Sequence, residues 1–150
     1  MALRMRTSEA GLELIKSFEG FRSRATRMPN GKWIIGYGHT DGARKGLTVT
    51  PEDADLLLRH HDLRKVEALI ADRVMAPLAQ NEFDALVSFA FNLGDEAFLG
   101  SSAFALLNSG ERLQAADAMT GWRKGRVDGE VRVIDALVRR RAAEKAMFLE

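Results

Sequence analysis

Between Ala25 and Lys45 the sequence changes texture. Glycines stand at 31, 36, 38 and 42, Pro29-Asn30-Gly31 spells a turn, and Lys32 to Tyr37 runs as a strand. The flanking text instead carries apolar residues at helical spacing. This contrast sets the fold class: α+β, with a small β-hairpin lobe over about 25–45 packed on a mainly helical lobe.

The helices announce their ends. Thr7 and Ser8 supply N-cap chemistry, Leu12, Ile15 and Phe18 follow at helical spacing, and Gly20 offers a stop, which places Glu19 on the last turn. Thr50-Pro51-Glu52-Asp53 opens a long helix with a cap, a proline at the first helical position and two acids that suit the helix dipole. Ala54, Leu57, Leu58, His61, Val66, Leu69 and Ile70 form its stripe. Pro77 interrupts, and Phe83, Leu86, Val87, Ala90 and Phe91 predict the buried face of a core helix ending near Gly94. Two short helices are expected near Ser102–Ser109 and Glu111–Thr120, with Gly110 and Gly121 as stops. A final helix carries Ile134, Leu137, Val138, Ala142, Lys145 and Phe148 near one face. Beyond the first hairpin the text predicts helices only.

Composition narrows function by exclusion. The chain has 150 residues, enough for one domain, and a net charge of +1, too balanced to argue for nucleic acid. With no cysteine there is neither a disulfide nor a thiolate metal site. The start MALRMRTSEA has no apolar export core, so a cytoplasmic location is expected. No cofactor is expected. His60 and His61 are neighbours that point apart on a helix and cannot share a metal at i, i+4 spacing, so no metal site is expected either. Arg139, Arg140 and Arg141, with Glu144 one turn on, read as a solvated, ion-paired helix face.

One constellation carries chemistry. The string F-E-G-x-R at Phe18 to Arg22, followed by W-I-I-G-Y-G-H-T at Trp33 to Thr40, resembles the phage-type muramidases, the lysozyme-fold endolysins of glycoside hydrolase family 24. The segments NEFDALVSFAFNLG, LLNSG, GW and LVRRRAAEKAMF fit the same pattern along the rest of the chain. Glycosidic cleavage needs an acid on the leaving oxygen and a carboxylate that stabilises the cationic centre or activates water. The resemblance assigns the acid to Glu19, whose place at a helix C-terminus favours a protonated side chain. It puts the second acid and a water-holding threonine at positions occupied here by Met28 and Ile34.

Methionine offers no charge and isoleucine no hydroxyl. Losing a positioned acid/base group costs about 10²–10⁴ in rate, so little or no turnover is expected. With Trp33, these residues make the former sugar cleft apolar, a character that suits protein contacts. Such degenerate domains are similar to the muramidase domain of SpmX-type polar scaffold proteins. That likeness implies a cytosolic module at the cell pole that binds the polar organiser PopZ, helps recruit the histidine kinase DivJ and self-associates. It also implies a membrane-anchored region beyond Glu150. The competing reading is an active muramidase that binds peptidoglycan and works through Glu19. Two further residues have structural readings: Arg22 as a partner of Glu19, and His39 as a hydrogen-bonded seat for the hairpin. Asp41 is the one carboxylate close after the motif.

Overall fold

The computed structural model describes residues 4–150; residues 1–3, the start of the N-terminal segment read above, lie outside it. Helix α1 (Glu9–Glu19) begins where the Ser8 hydroxyl accepts from the Gly11 amide and stops at Gly20, whose φ of 70° breaks the helical path. Leu12 and Ile15 point into the core and Glu19 ends the last turn, as the cap pattern predicts.

Strands β1 (Arg22–Arg27) and β2 (Trp33–Gly36) form the antiparallel hairpin, with Thr26 opposite Ile34 and Arg27 opposite Trp33. The first strand starts before the expected boundary at Ala25, and an irregularity between Arg22 and Thr26 absorbs a change of register. A second pairing, Arg24 with Thr48, draws the following loop alongside.

The long helix predicted from Thr50 is broken in character. Helix α2 (Pro51–Leu57), capped by the Thr50 hydroxyl, passes into a π-helical turn (Leu58–Asp62) before α3 (Leu63–Arg73) resumes. Of the predicted stripe, Ala54, Leu58, Val66 and Ile70 are buried, while His61 is exposed. The π turn rotates His61 out of the stripe. Such turns are rare and recur at functional sites.

Helix α4 (Gln80–Leu93) is the centre of the molecule. Every residue from Phe83 to Ala90 is buried, the signature of a helix surrounded on all sides, and it packs against α1, α3, α5 (Asp95–Leu99) and α8 (Asp135–Phe148). Phe98 bridges Phe89 and Phe104, with ring centroids 6.1 and 5.3 Å apart. Helices α6 (Ser102–Asn108) and α7 (Arg112–Met119) pack against each other and close the far side.

Two expectations for the C-terminal third are overturned. Helices do not run on alone: β3 (Lys124–Val127) and β4 (Glu130–Val133) form a second antiparallel hairpin. Asp128 and Gly129, with φ of 52° and 81°, make the two-residue turn whose twist matches paired strands. The apolar face assigned to α8 is also wrong in part. Val138 and Ala142 are exposed, whereas Arg140, Arg141, Glu144 and Phe148 point inward. Among the described residues, no helix is long and apolar enough to cross a membrane.

Candidate functional site

Glu19 stands between the two lobes. Its carboxylate Oε2 lies 2.7 Å from Arg140 Nη1, an ion pair joining the first helix to the last. Both partners are largely withdrawn from water, with side-chain exposures of 16% and 4%. The hairpin closes over the other oxygen. A Cβ placed on Gly38 would sit 2.6 Å from Glu19 Oε1, and Gly38 has a φ of 80°, so only glycine suits the position on both counts. The aromatic ring of Phe18 underlies the guanidinium at 5.9 Å. Arg22, expected as a partner of Glu19, does bond to it, but through Nη1 to the backbone carbonyl at 3.3 Å. The carboxylate belongs to Arg140.

Arg140 is itself fixed from behind. Its Nη2 donates to the Ser88 carbonyl, and its Nε lies 3.3 Å from both the Ser88 hydroxyl and Glu144. Glu144 is fully buried; the Ser88 hydroxyl donates to its Oε2 at 2.5 Å. Arg141 adds a second cation, with Nε 2.7 Å from Glu144 Oε1 but misaligned for a hydrogen bond. Burial pushes the Glu144 carboxyl up and the Arg141 guanidinium down, and their mutual attraction opposes both shifts. Arg140 and Arg141 are therefore ion-paired as expected, but buried rather than solvated, whereas Arg139 is exposed.

The hairpin rests on the helical lobe through His39. Its Nδ1 lies 2.9 Å from the Asp62 carboxylate on the π turn. Burial raises the Asp62 carboxyl, and the hydrogen bond to His39 works against that rise. Asp41 is engaged on the helical lobe. It is committed to His61 Nε2 at 2.8 Å and Lys65 Nζ at 2.9 Å, and these two partners hold it at about 2.

Met28 and Ile34 lie on the hairpin. Met28 follows β1 and closes the turn, its amide donating to the Lys32 carbonyl and its carbonyl accepting from Gly31. Ile34 lies on β2 beside Trp33. All three side chains are half-buried, and none offers a carboxylate or hydroxyl.

A match to the Phage lysozyme model runs through residues 16–144, from the acid-bearing turn of α1 to the buried Glu144. The chain belongs to the phage lysozyme family. Among its phage lysozyme relatives, an endolysin of Acyrthosiphon pisum secondary endosymbiont phage 1 is 40% identical over 144 residues, spanning 96% of this chain and 98% of that one. The endolysin of Salmonella phage P22 is 39% identical over 150 residues, spanning 97% and 99%. Among solved structures, the muramidase domain of SpmX from Asticaccaulis excentricus superposes with a TM-score of 0.93 at 50% identity, covering 98% of this chain and 99% of that one. The lysozyme-like fold read from the motif is thus the fold of the protein.

What sequence reasoning missed was the support around Glu19. Arg140 lies 121 residues away in a run that looked like surface, and Asp62 and Ser88 have no motif of their own.

Proposed function

We propose that this phage lysozyme domain has given up turnover and uses its former sugar cleft as a protein-interaction and oligomerisation surface. The observation that carries the proposal is the pairing of an ordered acid with an empty complement. Glu19 is held by Arg140, yet the positions that should supply a second acid and a hydroxyl are Met28 and Ile34, and Asp41 is tied to His61 and Lys65. An acid catalyst alone leaves the developing cation without a counter-charge. Likeness to the SpmX muramidase domain supports the same reading. On that basis the partners are PopZ and DivJ, engaged at the cytosolic face of the cell pole, with a membrane tether beyond Glu150.

The second reading, an active muramidase cutting the β-1,4 bond of peptidoglycan, draws on the same ordered Glu19 and on 40% identity to an endolysin. Turnover on purified peptidoglycan separates the two. Wild type is expected to match Glu19→Gln at background, and Met28→Asp/Ile34→Thr is expected to gain turnover while losing affinity for PopZ and for itself. Cleavage by wild type that disappears in Glu19→Gln would establish the enzyme instead.

A further inference from the structure

The adjacent histidines His60 and His61 cannot chelate together, but the fold gives His61 different company. The π turn carries His61 and Asp62, and the hairpin brings His39 onto them. One donor atom from each of His39, His61 and Asp62 lies within 4.8 Å of the other two. His60, by contrast, lines a separate pocket with Arg6, Arg59 and Arg64.

We propose that His39, His61 and Asp62 form a binding site for one divalent transition-metal ion of the zinc class. Two imidazoles and a carboxylate are a donor set suited to zinc, and a fourth position is left for water. Zinc bonds of about 2.0–2.1 Å at tetrahedral angles set neighbouring donors roughly 3.3 Å apart. The His39 to Asp62 contact, 2.9 Å, needs to open by a few tenths of an ångström. The rest of the adjustment falls on His61. His39 and Asp62 are fixed, each with 10% side-chain exposure, whereas His61 is 46% exposed and shifts together with its exposed partner Asp41, its ring already edge-on to His39 at 5.5 Å.

The surroundings fit an ion. Asp41 holds His61 Nε2 at 2.8 Å, the placement of a carboxylate that orients a ligating imidazole from behind. Lys65 on Asp41 keeps that second carboxylate neutralised, so it serves as an orienting group rather than a fourth ligand. Binding replaces the His39–Asp62 hydrogen bond with a bond from each group to the dication. The ion would pin the hairpin to the helical lobe.

The test is a titration of zinc chloride into chelator-treated, tag-free protein, followed by calorimetry, with cobalt substituted for its visible spectrum. One ion per chain is expected to bind, cobalt is expected to give the intense absorption of a tetrahedral site, and the unfolding midpoint is expected to rise by about 5–10 °C at a hundredfold excess over Kd. His61→Ala, at an exposed position, is expected to fold normally and weaken zinc by roughly a hundredfold. His60→Ala is expected to bind as wild type does. No saturable binding, equal affinity in His61→Ala, or loss of binding in His60→Ala would overturn the proposal.

Discussion

Glu19 shows how one side chain can be legible in a sequence while its environment is not. Its place on the last turn of α1 follows from Ser8, the apolar spacing and Gly20, all of them local. Its ion pair with Arg140 is a product of tertiary packing, and nothing within a helical window announces it. The hairpin before His39 was legible because its glycine-rich run suits only a tight turn between strands. Gly38 is the residue on which this site is most easily tested. Gly38→Ala would push a methyl against the Glu19 carboxylate and hold a non-glycine residue at φ 80°. A stability loss of about 1–3 kcal/mol is expected from urea denaturation. An unchanged midpoint would mean that the hairpin does not press on Glu19 as described.

At the scale of elements, the strongest sequence signals came from caps and periodicity, and the errors came where those signals conflict with packing. Helix α8 buries Arg140, Arg141 and Glu144 because charges that satisfy one another can replace apolar residues on an inward face. A hydropathy stripe cannot see that substitution. The second hairpin was readable in KGRVDGEVRV, where Asp-Gly sits between alternating β-branched residues, but neighbouring helices drowned the signal. The π turn left no trace, since over five residues its pattern is that of a helix. Glu144 gives the element its clearest prediction. Glu144→Gln leaves the buried Arg141 guanidinium without a carboxylate partner, while Arg140 keeps Glu19, and is expected to cost about 3–5 kcal/mol, read from the shift of the denaturant midpoint at unchanged slope. A loss under about 1 kcal/mol would show that water reaches this network.

Across the whole molecule, rigidity is unevenly distributed. Helix α4 is walled in by four other helices, whereas β3 and β4 pair only with each other and expose Val127, Val131 and Val133. A two-stranded ribbon without a covered face is marginal by itself. Hydrogen exchange should therefore divide the chain: amides of Val127 and Val131 should exchange orders of magnitude faster than those of Val87 and Phe89, which open only with global unfolding. Equal protection would mean that the second hairpin is bound to the body more firmly than its contacts indicate. The overall α+β plan was visible in the sequence because the hairpin text and the helical text do not overlap. The way the two lobes lock together was not, because that lock is built from residues distant in the chain.

The tie between Glu19 and Arg140 also has a consequence in time. A ribosome delivers the chain from the N-terminus, so α1 and the first hairpin emerge well before α8 exists. Until α8 leaves the exit tunnel, the Glu19 carboxylate has no guanidinium to meet. Whatever this site binds, a nascent chain or one cut before α8 presents it unfinished, and the working surface forms only once α8 has been made.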